Sequence, residues 1–445
     1  MGLPTLKGGI HLYEGKELSE DKPVVMLQSK GEMVFPLSQH IGAPAKPLVA
    51  AGDHVLVGQK IGEMDGVISA CVISSVSGTV KAIEPRMIAN GTMIMSIIIE
   101  NDETYQTIES FGIKRDPKTL SKEEIRNIIK EAGIVGLGGA GFPTYVKLSP
   151  RDDAKIDTVI VNGAECEPYL TSDYRLMIEE PEKIIKGLQI MLQLFEHARG
   201  VISIEDNKPK AIEKLQELAK DEPRITVLPI KTKYPQGWER TLINNVTGRK
   251  INSDMLPAEA GCIVNNVGTV ISIYNAVAEN TPLIRRIITV TGDAIQNPQN
   301  YCVRIGTSYQ QLVEASGGYK TEPKKLISGG PMMGQAMAHT DIPVTKVSSA
   351  LVAMAEDETA GNPAAACIRC GRCVRVCPGR LVPQKMVLAA ANSDAERFFK
   401  LNGMECCECG SCSYICPARI PLTETFIKTH QSITIKKENK REAKR

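Results

Sequence analysis

The sequence predicts a multidomain α/β and α+β protein, and three observations predict it. Residues about 30–105 are short apolar runs broken by turn residues. Residues 115–280 alternate strand-like and helix-like segments. Eight of the thirteen cysteines fall into two copies of one spacing near the C-terminus. A length of 445 residues suggests roughly three domains on the usual size range. A hydrophobic content of 42% is enough to build several cores.

The elements follow in order. Residues 1–29 form an N-terminal segment. Across 30–105, Gly52-Asp53, Gly58, Asp65-Gly66 and Ser77-Gly78 punctuate runs such as Val67–Ser74 and Thr79–Ile83, and Met93–Ile99 has strand length. This spacing gives an all-β module. Ser121-x-x-Glu124 is a capping box that opens a helix with Ile125, Ile128 and Ile129 on one face, closing at Gly133. A glycine-dense loop, Gly136–Pro143, comes next. Asp157–Asn162 and Ile225–Ile230 read as strands, Pro181–Phe195 and Val270–Glu279 as helices. Alternation of this kind over 115–280 argues for an α/β layered domain. Residues 285–340 return to short strands around Gly292-Asp293, Gly317-Gly318 and Ser328–Pro331, a small α+β module. Residues 350–363 read as a linker into a C-terminal domain at 355–425, helical between Pro383 and Leu401. A basic tail, 426–445, closes the chain. Its last ten residues hold six basic and two acidic side chains and read as solvated, with an acidic partner or anionic lipid as the alternative.

The first cysteine run is Cys367-x2-Cys370-x2-Cys373-x3-Cys377-Pro378, the second Cys406-x2-Cys409-x2-Cys412-x3-Cys416-Pro417. A cubane needs four converging thiolates. A loop with Cys at every third position supplies three, and the fourth, followed by Pro, ligates the other cluster. Cys367, Cys370, Cys373 and Cys416 are therefore assigned to one [4Fe–4S] cluster. Cys406, Cys409, Cys412 and Cys377 take the second. Structural zinc has no use for four Cys in such a run, repeated. Cys407 is out of phase and reads as a bystander; Cys71, Cys166, Cys262 and Cys302 read as core filler. Thirteen cysteines without a signal-peptide pattern point to a reducing cytosol and to metal. The net charge of +2 argues against a nucleic-acid partner. No apolar run approaches the ~20 residues that cross a bilayer, so membrane association is expected to be peripheral.

Gly136-x-Gly138-x-x-Gly141 has the letters of a dinucleotide fingerprint but follows a helix instead of a strand. Glycines there still let backbone approach a ligand and turn N–H groups toward an anion. The wider string, Gly136 to Lys147, resembles the flavin loop of the FMN-binding, NADH-oxidising subunit of respiratory complex I. Val161-Asn-Gly-Ala-Glu-Cys-Glu-Pro168, Tyr234-Pro-Gln-Gly-Trp-Glu239 and Val264-Asn-Asn-Val-Gly-Thr-Val270 are similar to further segments of that family, in the same order. Ala51–Gly62 with Ser75–Val80 resembles a lipoyl or biotinyl carrier, a barrel-sandwich hybrid, without the modified Lys at its tip. Residues 285–337 resemble a soluble-ligand-binding β-grasp module. With Lys7-Gly-Gly-Ile-His11 and the double cysteine tail, the chain from about residue 5 to 420 resembles the RnfC family. Members of that family belong to the Rnf complex, the ferredoxin:NAD⁺ oxidoreductase of bacterial membranes.

The resemblance implies site residues. Gly138, Gly139 and Lys147 approach the FMN phosphate and ring; Asn162, Glu165, Gly237, Asn265, Asn266 and Thr269 complete the FMN set. Phe142, Glu167 and Glu239 take NAD(H). Leu137, Ala164 and Trp238 depart from the complex I pattern, which alters the polar grip on the nucleotide more than that on FMN. The implied function is that of a translocase component exchanging hydride between NAD(H) and FMN and single electrons through two [4Fe–4S] clusters. Its implied partners are the ferredoxin-like B subunit, the membrane subunits and, indirectly, ferredoxin, at the cytoplasmic face of the cell membrane. No catalytic acid or base is assigned. The alternatives are a corrinoid reductase of the microcompartment type and a non-catalytic ferredoxin-like relay.

Overall fold

The computed structural model describes residues 2–357 and 362–442, the side chains of 437–442 excepted. Strands Glu32–Pro36, Met93–Asn101, Gly78–Met87 and His54–Val55 lie in that order in an antiparallel sheet; Lys46–Pro47, Lys60–Glu63 and Val72–Ile73 make a second. Met33, Phe35, Val55, Ile61, Val80, Ile97 and Ile99 from both sheets are buried in one core, as expected when sheets pack face to face. The loop where a carrier would hold its Lys presents Val67, 80% exposed. The carbonyl of Val67 accepts the Tyr145 hydroxyl at 2.5 Å, beside the glycine loop.

The α/β region is built on a four-stranded parallel sheet in the order Ile225–Ile230, Arg199–Glu205, Thr158–Gly163, Cys262–Asn266. Val159, Ile160, Val161, Ile202 and Ile204 are buried on both faces, the pattern that covered parallel strands require. The Ser121–Glu124 capping box is formed and opens the helix Lys122–Glu131. Helices Pro181–Leu194 and Val267–Glu279 cross closely. A Cβ on Gly187 would fall 2.3 Å from the Val270 carbonyl, so only glycine permits that approach.

Two expectations fail in the next sheet. It has six strands: Val24–Met26, Gln299–Arg304, Arg285–Thr291, Ala350–Met354, Lys325–Ser328 and Gln335–Met337. The N-terminal segment thus supplies an edge strand, and Ala350–Met354, read as linker, is central. Leu351 and Ala353 face one core and Ala350 and Val352 the other. A strand buried on both faces shows no polar alternation, and the acidic run after it resembles a linker.

Helices Arg372–Val376, Pro383–Ala391, Ala395–Lys400, Ser411–Tyr414 and Leu422–Glu442 form the C-terminal domain. The stretch expected to be helical from 383 to 401 breaks at Asn392–Asp394, where Ser393 is left-handed and the Asp394 side chain caps Arg397. The basic tail is also corrected. The last helix begins inside the domain and buries Phe426 and Ile433 beside Leu381, Met386 and Phe398. Side chains of the charge run from 437 lie outside the described residues. No described helix is long and apolar enough to cross a membrane.

Candidate functional site

The glycine loop is held from beneath. Gly136 N donates to Phe142 O at 2.9 Å and Val135 bridges to Pro143, closing the loop's neck, with Phe142 half-buried there. Leu137 N donates to the buried Thr269 hydroxyl at 3.0 Å. The buried Arg286 guanidinium donates to Leu137 O at 3.1 Å. Gly138, Gly139 and Ala140 are left exposed. A Cβ on Gly138 would meet Asn266 Nδ2 at 2.8 Å, whereas one on Gly139 would meet nothing within 4 Å.

Opposite the loop are the carboxyl ends of two neighbouring strands, where ligands bind in open parallel sheets. Asn162 Nδ2 donates to Gly237 O at 3.0 Å, and its Oδ1 accepts Ala164 N at 3.1 Å. Asn266 Oδ1 caps the following helix through Gly268 N, and its Nδ2 donates to Asp173 at 2.6 Å. Asn265 Nδ2 touches Met191 Sδ at 3.4 Å, while its buried Oδ1 has no partner. Buried acceptors are rarely left so. Lys147 Nζ donates to Val264 O at 3.1 Å and stands 3.6 Å from Glu239. An orphaned acceptor, bare glycine backbone and an ammonium near these strand ends are the kinds of group that suit a planar amide-bearing ring with a phosphate tail, the chemistry of FMN.

The acidic turn is half-buried. Glu165 accepts the amides of Asp173 and Tyr174 at 2.6 and 3.2 Å, capping the helix Ser172–Glu179. Its carboxyl thus joins the ring of residues through Asp173 and Asn266. Glu167 accepts the Tyr234 hydroxyl at 3.2 Å and Met332 N at 3.1 Å. Burial, above all, pushes both carboxyls up to about 7. Two cations that the sequence does not reveal hold this turn. Lys16 Nζ donates to the carbonyls of Glu165, Glu167 and Leu170 at 3.0, 3.0 and 2.6 Å. Lys208 Nζ donates to Ala164 O at 2.7 Å and lies 3.5 Å from Glu205. No local spacing signals either. Trp238 stands at the N-cap of helix Glu239–Thr247 with the Arg240 guanidinium 5.3 Å from its ring.

The eight motif cysteines line two cavities. The first gathers Cys367, Cys370, Cys373 and Cys416. The second gathers Cys377, Cys406, Cys409 and Cys412, with Cys407 also in its wall. Thiols converging on a space of this kind suit iron–sulfur clusters. The second cavity lies against the acidic turn, for Cys409 packs in one apolar cluster with Ile10, Tyr234, Cys166 and Met332.

Four family models match in series. They are the RnfC barrel sandwich hybrid domain over residues 4–104, the Nuo51 FMN-binding domain over 129–275, the SLBB domain over 287–336 and the 4Fe-4S dicluster domain over 361–438. The C subunit of the proton-translocating ferredoxin:NAD(+) oxidoreductase complex of Clostridium ljungdahlii is 43% identical over 86% of this chain and 84% of its own. This chain belongs to the RnfC family. The C subunit of the Na(+)-translocating complex from Acetobacterium woodii is 44% identical over 85% of this chain and 86% of its own. Its counterpart in the ion-translocating oxidoreductase complex of Vibrio cholerae is 38% identical over 89% of this chain, which spans 51% of that relative. Among solved structures, an NAD⁺-reducing [NiFe]-hydrogenase shares the fold, with a TM-score of 0.50 at 16% identity, covering 71% of this chain and 61% of that one. As a member of the RnfC family, the chain is an electron-transferring oxidoreductase component with an FMN domain and a [4Fe–4S] dicluster domain.

Proposed function

We propose that this chain links NAD(H) to a one-electron partner inside a ferredoxin:NAD⁺ oxidoreductase, with its glycine-lined opening at one end and its first cysteine cavity at the other. FMN, when bound, interconverts paired and single electrons, and the clusters carry single ones. The chain's own residues bind, orient and insulate. Gly138 and Gly139 offer backbone N–H groups, and Lys147 a point charge, to the phosphate. Asn162, Asn265, Asn266 and Gly237 line the ring's place; Thr269 fixes the loop that covers it. Phe142, Glu167 and Glu239 hold the nucleotide, with the carboxylates on its ribose hydroxyls. No side chain here needs to move a proton.

Each cysteine cavity gathers the four thiols that the spacing assigns to one cluster, which supports that partition. The carrying observation is the continuous packing from Cys166 and Tyr234 through Met332 to Cys409. It gives electrons a dry passage from the nucleotide end to the second cluster, and from there to the first. The chain sits peripherally at the cytoplasmic face of the membrane, held by the other components of the complex, the ferredoxin-like B subunit among them.

The test is an anaerobic inventory followed by NADH titration. It is expected to find about eight irons, as two four-iron cubanes require, with one FMN and bleaching of both chromophores by NADH. A colourless protein loaded with zinc would overturn the reading.

A further inference from the structure

We propose that the exposed rim of the first cysteine cavity is a docking surface for an acidic one-electron carrier protein. The inference rests on the reading above that this cavity holds a cluster.

Between residues 362 and 393 the sequence has Arg369, Arg372, Arg375, Arg380 and Lys385 and no Asp or Glu. Arg369 and Arg372 line the cavity. Arg375 shares the short helix Arg372–Val376. Lys385 lies next to Gln384, which lines the cavity, and Arg419 directly follows the lining pair Pro417-Ala418. The five rim cations Arg369, Arg372, Arg375, Lys385 and Arg419 are all exposed. Among the described residues none of the five makes an ion pair or a side-chain hydrogen bond. Elsewhere in the domain three cations are paired: Lys400 with Glu396, Lys428 with Glu424, and His430 with Glu408. Unpaired like charges gathered near one cavity repel each other, so the rim is a poor solution for an isolated surface and a good one for steering an opposite charge. In the same cavity wall Cys367 and Cys370 are exposed, and Ile368, 68% exposed, adds an apolar contact. Exposed thiols beside these cations favour a partner that must bring its own redox centre close. A lipid surface has no such need.

The experiment uses the full cofactor-loaded chain and a small acidic protein carrying two [4Fe–4S] clusters, reduced beforehand. Affinity and the rate of electron transfer are followed against ionic strength. Each transfer oxidises one carrier cluster and reduces one cluster of this chain. Arg375→Glu with Arg419→Glu is expected to weaken binding about tenfold at low salt and flatten the salt dependence. Arg375→Lys with Arg419→Lys keeps the charge and is expected to bind within about twofold. Flavin bleaching by NADH stays unchanged in both. Unaltered binding in a charge-reversed chain with full iron overturns the docking surface alone. So does loss of binding only to phosphatidylglycerol vesicles, which would make the rim a lipid contact. Failure of the parent chain to load iron overturns the underlying reading and the docking surface together.

Discussion

The two cysteine runs share one spacing and have opposite surroundings. The first is open: Cys367 and Cys370 face solvent amid unpaired cations. The second is enclosed, with Cys409 and Cys412 only 7% and 9% exposed. Glu405, just before it, binds Arg240 at 2.6 Å and the Ser253 amide at 3.0 Å, clamping the run to the α/β region. A Cβ on Gly410 would touch Met332 O, and one on Gly8 would meet Cys377 O at 2.6 Å. The spacing settles that a cluster fits. The neighbours show which cysteine run is enclosed and which is open.

Charge deletion should strike the two sides unequally. Lys16→Met strands three carbonyls and unbalances Glu165 and Glu205 behind the enclosed run. Removing one partner from such a buried network costs about 3–5 kcal/mol, read by denaturant unfolding. Arg419→Ala, at the open run, should stay within about 0.5 kcal/mol. Equal losses would erase the contrast.

The enclosed side should also respond to pH. Glu167 is held up at about 7 by burial, above its value in the unfolded chain, so the folded state holds the proton more tightly. Stability is therefore greatest below the ordinary carboxylate range and falls as pH climbs through about 7. The contribution is about 3 kcal/mol. Glu167→Gln should flatten that slope, which thermal unfolding across the range would show. A smaller effect than these two buried ones belongs to the clamp. Glu405→Ala removes a part-exposed ion pair worth about 1 kcal/mol and should slow electron passage between the nucleotide end and the clusters more than it lowers stability. A rate equal to the parent's would show that the clamp does not set the contact.

What the sequence made legible was local chemistry. The cysteine runs, the capping box at Ser121 and the glycine loop are patterns whose physics lies within a dozen residues. Asn265 and Asn266 were singled out only through the resemblance of Val264–Val270 to a flavin-binding segment, not by local physics. Lys16 was not, because its carbonyl partners begin 149 residues away and nothing near it marks a buried ammonium. Arg286 escaped for the same reason, with acceptors 62 and 149 residues away. Ala350–Met354 was missed because a strand covered on both faces loses its alternation, and the last helix because its buried Phe426 and Ile433 precede a charge run that dominates composition.

The central claim is the order of passage: nucleotide end, enclosed cluster, open cluster. Rapid anaerobic mixing of NADH with Cys412→Ala and with Cys370→Ala tests it most directly. The account predicts that Cys370→Ala loses the open cluster alone and that NADH still reduces the enclosed one at the parent's rate. In Cys412→Ala the open cluster should be stranded, its reduction slowed by orders of magnitude while the flavin still bleaches. Fast reduction of the open cluster in Cys412→Ala would contradict that order.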